Sequence, residues 1–201
     1  MKDKLHKKLV LYSHSMGGAI AALYLERYQG IFSCAILSSP MLEMNCGKPP
    51  IVMVWLVMSL KKLIHSDKDY VKGHRTFDGI PHFDTSSCLS VARYNYIFSK
   101  RLQDENYQTY GASCAWVLAS LKAVRKLQRY AKLVKTPVLL FQAGIEATVK
   151  PGGQNRFAKQ SKNTQLILIP DSKHEIFNAN KAAREEYYRR IFLFLEKELK
   201  E

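Results

Sequence analysis

The 201-residue chain is predicted to be an α/β protein built on a parallel sheet of about four strands with flanking helices. Three observations predict this. Four apolar runs of strand length are bounded by turn signals: KLVLY (8–12), FSCAILS (32–38), TPVLLFQA (136–143) and NTQLILIP (163–170). A helical pattern lies between the first and second runs and another between the third and fourth, so each pair reads as a βαβ unit. A composition of 47% hydrophobic and 24% charged residues suits one globular core that carries an insertion.

Taken in order, the first run leads into residues 16–28, where Ala19, Ile20, Leu23 and Tyr24 recur at helical spacing and Gly30 is placed to cap the C-terminus. The second run is closed by Pro40. Residues 41–134 then change character. Helical patterns over 90–100 and 115–133 dominate, separated by loop signals such as GIPHFDTSS (79–87). The third run is a buried strand, a helix is expected near 153–162, and the fourth run follows. Residues 181–200 form an amphipathic helix with Tyr188, Ile191, Phe192 and Leu195 on one face. The division is therefore a first core part at 5–40, a helical insertion at 41–134 and a second core part at 135–201.

The basic N-terminal stretch has too few apolar residues behind it for a secretion signal. The apolar window 51–60 falls well short of the roughly 20 residues that cross a bilayer. A soluble, cytoplasmic protein is expected. The formal charge of +14 comes from Lys and Arg spread along the whole chain. That argues against a nucleic-acid partner; the first reading is a solvated basic surface, and the second a mild attraction to anionic lipid headgroups at the inner face of a membrane. Cys34, Cys46, Cys88 and Cys114 have neither paired nor metal-type spacing and are read as reduced thiols. No H-x₃-H spacing is present, and no metal or cofactor is expected.

The chemistry is concentrated at the strand ends. A serine hydroxyl is a weak nucleophile until a base takes its proton, and an imidazole serving as base needs a carboxylate to hold its tautomer. Ser15 sits in LYSHSMGGAI (11–20), at the bend between the first strand and first helix. Such a bend imposes strained dihedrals and demands small neighbours two residues away, here Ser13 and Gly17; the usual G-x-S-x-G pattern has serine in its first glycine position. Gly18 lets the helix pack closely, and the Met16 N–H is the first oxyanion donor. Glu146 follows the third strand, where an acid belongs. Asp171 is a rival carboxylate. His174 follows the fourth strand as the base, in DSKHEIF (171–177). The order serine, acid, histidine belongs to one architecture among several that converge on this triad. The remaining histidines, His6, His14, His65, His74 and His82, are read as structural, with His14 packed under the bend.

The segments HSMGGAIAALYLERY, FSCAILSSPML, TPVLLFQA and SKHEIFNA resemble α/β-hydrolases of the lysophospholipase and monoacylglycerol-lipase group, often filed as serine aminopeptidases. TSSCLSVARYNYIF and YGASCAWVLASLKA resemble that family's helical lid. The resemblance runs from about residue 5 to 199. It implies hydrolysis of a carboxylic ester on a lysophospholipid or monoacylglycerol, with Ser15, Glu146 and His174 as nucleophile, acid and base. The acyl chain would lie between core and lid, where Val52, Val54, Trp55, Leu56, Val57 and Leu60 suit it; those residues equally suit ordinary packing, and Trp116 and Tyr110 fit either a pocket wall or a core.

The resemblance also implies that the nucleophile follows the fifth strand of eight. The chain is therefore read as the C-terminal half of an α/β-hydrolase. The loop that supplies a second oxyanion N–H has no counterpart, a loss worth about 2.7–4 kcal/mol of transition-state stabilisation. The first strand becomes an apolar edge inviting self-association. Two other readings stay open: a non-catalytic fragment acting as an interaction module, and a peptidase or amidase using the same triad.

Overall fold

The computed structural model of the chain describes residues 8–108 and 111–200. Its four strands are β1 (Val10–His14), β2 (Cys34–Ser38), β3 (Val138–Ala143) and β4 (Thr164–Ile169). They form one parallel sheet in the order β1-β2-β3-β4, with Val10 opposite Cys34, Ala35 opposite Val138 and Val138 opposite Thr164. β2 and β3 are buried throughout, as central strands covered on both faces must be. β1 and β4 are the edges.

Side chains alternate across the sheet, so each central strand feeds two cores. Ala35, Leu37, Val138 and Leu140 face a cluster completed by Ala22 and Leu25 of α1 (Ser15–Arg27), by Leu121 and Leu127 of α4 (Cys114–Tyr130), and by Phe157 of α5 (Pro151–Gln160). Ile36, Leu139 and Phe141 face the opposite cluster, which Tyr187, Ile191 and Phe194 of α6 (Lys181–Glu198) fill. The result is a three-layer α/β core. The 41–134 segment inserted between β2 and β3 carries α2 (Ile51–Leu63), α3 (Val91–Gln103) and α4. Ser90, Ser113 and Asn180 cap α3, α4 and α6 by accepting from N–H groups of the first turn.

Four local expectations are corrected. In α1 the buried face is Gly18, Ala19, Ala21, Ala22 and Leu25, whereas Ile20 is 59% exposed. Small residues let α1 lie close to the sheet, so packing selected the alanine stripe over the larger apolar one. Gly30 does not cap α1: Tyr28 does, its N–H reaching Tyr24 O, and Gly30 (φ +78°) serves the turn into β2. In α6 the buried stripe is Ala183, Tyr187, Ile191 and Phe194; Phe192 is 61% exposed. Tyr187 fixes that rotation, because its ring packs on Phe141 and its hydroxyl meets that of Tyr12 at 2.7 Å. α5 begins at Pro151, a residue pre-set for the first helical position, two residues before the expected start.

α2 buries none of its residues fully. Val54 and Trp55 lean on the core, while Val52, Leu56, Val57 and Leu60 are exposed, Leu56 by 62%. Among the described residues, no helix is long and apolar enough to cross a membrane.

Candidate active site

Ser15 is placed by the junction of β1 and α1. It has φ +52°, in the left-handed region that costs a non-glycine residue about 1–2 kcal/mol. The surroundings hold it there. Ser15 O accepts from Met41 N at 2.9 Å, tying the bend to the chain leaving β2. A Cβ on Gly18 would stand 2.5 Å from Pro40 Cβ, so α1 reaches its depth against that chain only with glycine at this position. Gly17 is different. A Cβ there would meet Ser13 Cβ at 3.9 Å, ordinary contact, so the steric requirement expected at Gly17 is mild. Ser13 and Gly17 face each other across the bend.

The acid and base loops leave the ends of β3 and β4 side by side. Gly144 N donates to Ile169 O at 3.0 Å and Ile145 N to Ser172 O at 2.8 Å. A Cβ on Gly144 would fall 2.1 Å from Pro170 O, so the two loops touch backbone to backbone. This brings Glu146 Oε2 to 2.7 Å from His174 Nδ1, with both side chains almost wholly out of solvent. The other carboxylate oxygen, Oε1, accepts from Thr148 N at 2.7 Å and Val149 N at 3.3 Å. His174 Nε2 lies 2.7 Å from Ser15 Oγ. Asp171 is exposed and makes no bond to His174 among the described residues.

Burial pushes the Glu146 carboxyl up, but the hydrogen bond and charge of His174 and the two backbone N–H groups outweigh it, and the net shift is downward. An ionised carboxylate only accepts, so His174 Nδ1–H donates to it. That tautomer leaves Nε2 as the acceptor of the Ser15 hydroxyl proton.

His14 lies beneath this chain of bonds. Its ring is 4.8 Å from that of His174 and edge-on to Phe177 at 5.0 Å, and its Nδ1 is 3.0 Å from Ser38 O. Burial, then the proximity of His174, lowers its pKa to about 4, so it remains a neutral wall. Sequence placed His14 under the bend; its contact with the second imidazole is a product of the tertiary fold. Trp116 stands above the bend, its indole N–H directed to Met16 Sδ at 3.2 Å. Tyr110 and His6 lie outside the described residues, His65 (φ +57°) sits in the turn after α2, His74 accepts from Ala112 N and His82 pairs with Asp78. Met16 belongs to the first turn of α1, whose N–H groups have no acceptor within the helix.

A family model described as serine aminopeptidase, S33, matches residues 1–181. Among curated relatives, "Probable lysophospholipase L2" of Haemophilus influenzae is 24% identical over 187 residues, covering 92% of this chain and 58% of that protein. "Lysophospholipase L2" of Escherichia coli is 24% identical over 185 residues, covering 89% and 54%. The chain thus spans little more than half the length of these relatives. Among solved structures, a monoacylglycerol lipase of Paleococcus ferrophilus superposes with a TM-score of 0.69 at 21% identity, over 96% of this chain and 70% of that one. A soluble variant of monoglyceride lipase from Saccharomyces cerevisiae, bound to a substrate analogue, gives 0.67 at 17% identity, over 95% and 62%.

Proposed function

The chain belongs to the serine aminopeptidase S33 family, and from that membership we propose that it is a serine hydrolase acting on carboxylic esters of single-chain lipids. The observation that carries the proposal is the unbroken hydrogen-bonded series Ser15–His174–Glu146, with both links at 2.7 Å. Ser15 Oγ attacks the ester carbonyl while Nε2 of His174 takes its proton. Glu146 stabilises the resulting imidazolium without itself being protonated. The Met16 N–H donates to the oxyanion. His174 returns the proton to the departing alcohol, and a water activated by the same imidazole releases the acid.

Lipid esters are favoured over peptides by two observations. The relatives named above are called lysophospholipases, and α2 displays an apolar face ending in Lys61 and Lys62. In this reading residues 41–134 act as a lid over a core formed by 5–40 and 135–201. The face of α2, together with the net positive charge, rests on an anionic membrane. The decisive experiment is labelling with a fluorophosphonate probe. The chain is expected to label, and Ser15→Ala to abolish it; equal labelling of the alanine variant rules the mechanism out.

A second reading draws support from the edge of β1, which pairs with no other strand than β2 among the described residues and where Tyr12 is 47% exposed. There the chain acts as an interaction module whose first strand pairs with another strand or a second copy. It requires oligomers in light scattering and no probe labelling. A labelled monomer excludes it.

A further inference from the structure

Met16 links the serine bend to the inserted segment 41–134. It follows Ser15 in the first turn of α1, it is 43% exposed, and its Sδ accepts from the indole N–H of Trp116 at 3.2 Å. Both ends of this contact are held. On one side, Ser15 O accepts from Met41 N at 2.9 Å, which fixes the backbone leading into Met16. On the other, the first turn of α4 is anchored by Cys114 N to Asp69 O at 2.9 Å, Ala115 N to Asp67 O at 2.7 Å and Trp116 N to Ser113 Oγ at 3.2 Å, with Val117 and Leu118 buried behind it. The thioether is therefore kept at one place beside the nucleophile, in a residue that solvent reaches.

The other sulfurs are less suited to oxidation or lie away from the bend. Cys34, Cys88 and Cys114 are buried, and burial pushes the thiols of Cys34, Cys46 and Cys88 up, away from the reactive thiolate. Met41 and Met44 are 7% and 9% exposed, while Met53 and Met58 sit on α2. A thioether needs no deprotonation to react with a peroxide, and its oxidation converts an apolar side chain into a polar one.

We propose that Met16 is a reversible oxidation site at which hydrogen peroxide forms the sulfoxide and slows attack by Ser15, with Trp116 as the residue that holds the sulfur and then binds the sulfoxide oxygen. The indole N–H engages one sulfur lone pair and leaves the other to attack a peroxide oxygen. The O–O bond breaks, the oxygen now on sulfur passes its proton to the departing hydroxide, and water leaves. Sulfur gives up two electrons and the peroxide takes them. The sulfoxide oxygen is a stronger acceptor than a thioether, so the indole N–H, which can only donate, turns to it. The negative end of the S–O dipole then lies on the residue whose backbone N–H receives the oxyanion, where the transition state gathers negative charge. The inference rests on the ester-hydrolase reading and adds to it control by peroxide, which a methionine sulfoxide reductase reverses.

The full chain is treated with graded hydrogen peroxide and followed in three ways. Peptide mass spectrometry is expected to find one added oxygen at Met16 before Met41 or Met44 gains one. The chain has two tryptophans, so in a Trp55→Phe background the emission of Trp116 is expected to change as Met16 is oxidised, and the same treatment of Trp55→Phe with Met16→Leu leaves it unchanged. Fluorophosphonate labelling of Ser15 is expected to slow roughly 10- to 100-fold in step with Met16 oxidation, up to the effect of removing an oxyanion donor, and to recover with a methionine sulfoxide reductase and a dithiol. Met16→Leu keeps whatever labelling rate it starts with after peroxide, whereas Met53→Leu is slowed like wild type. A Met16 that stays unoxidised while Met53 is fully converted overturns the proposal. So does an oxidised Met16 with an unchanged labelling rate, an unmoved Trp116 emission, or an equal slowing of Met16→Leu. Should Met16→Leu fail to fold, the wild-type time course decides, since the loss of rate must track oxygen at Met16 and not at Met53. A wild-type chain that never labels refutes the hydrolase reading; the mass and emission changes then judge the oxidation site by themselves.

Discussion

Replacing Gly144 by alanine tests how the fold brings acid and base together. The added methyl group would lie 2.1 Å from Pro170 O, 2.6 Å from its Cα and 2.7 Å from its carbonyl carbon. All three are backbone atoms, so no side chain can swing aside. Ordinary carbon–oxygen contact begins near 3.3 Å, and the two loops must part by about 1 Å. That displacement breaks the Gly144 N–H to Ile169 O bond, now 3.0 Å. It also stretches the Glu146–His174 bond from 2.7 Å to beyond hydrogen-bonding range. Overpacking of this kind costs about 1–3 kcal/mol and each lost buried hydrogen bond about 1 kcal/mol more, so a destabilisation of about 2–5 kcal/mol is expected. The rate of fluorophosphonate labelling at Ser15 should fall about 100-fold, the usual effect of an ångström of misplacement. Urea denaturation and timed labelling measure the two effects. Gly17→Ala is the control: its methyl group meets Ser13 at 3.9 Å in ordinary contact, and alanine favours the helix by about 0.5–1 kcal/mol. A Gly144→Ala protein within ~0.5 kcal/mol of wild type and labelled at the same rate would refute the argument that these loops meet backbone to backbone.

Glu146→Gln keeps an acceptor for Thr148 N but removes the charge that holds the His174 tautomer; kcat on an ester substrate should fall about 10⁴-fold with little change in melting temperature. Because the Glu146 carboxyl is shifted down from its ordinary 4.5, its contribution to stability is present above that pH and is lost as the pH falls through the lower folded value; acid denaturation of the glutamine variant should therefore be flatter in that range. His14 has a folded pKa of about 4 against 6.5 unfolded, so between those values the unfolded chain binds more protons and stability rises with pH; urea titrations should show a gain on the order of 2–3 kcal/mol from pH 4 to 6.5 that His14→Gln removes. Leu56→Asp with Leu60→Asp should abolish sedimentation with anionic phospholipid vesicles without moving the melting temperature, since neither side chain is buried; unchanged sedimentation disproves the membrane-facing role of α2.

Much of the fold is legible in the sequence because strand runs buried on both faces must be continuously apolar, and β2 and β3 are. The edge strands are read less well: β1 ends two residues later than its apolar run, at His14, because pairing with Ser38 extends it into polar residues. Helix faces are where pattern misleads. Ile20 and Phe192 fit a helical stripe, yet the sheet accepted Ala22 and Tyr187, since periodicity records which residues are apolar and not how closely a helix approaches. The serine bend is legible from its small residues, but which glycine the packing needs is not: Gly18 abuts Pro40, a residue distant in sequence, while Gly17 meets only Ser13.

Sequence by itself determined the order of the strands along the chain, the serine at the end of one of them, and the carboxylate and imidazole beyond two others, because these follow from local pattern and spacing. Only the tertiary structure decided that Glu146 rather than Asp171 meets His174 and that the ring of His14 packs, tilted, against that of His174. Each of these depends on two loops or helices distant in sequence coming within a few ångströms, and the period and composition of a single segment carry no information about what lies across from it.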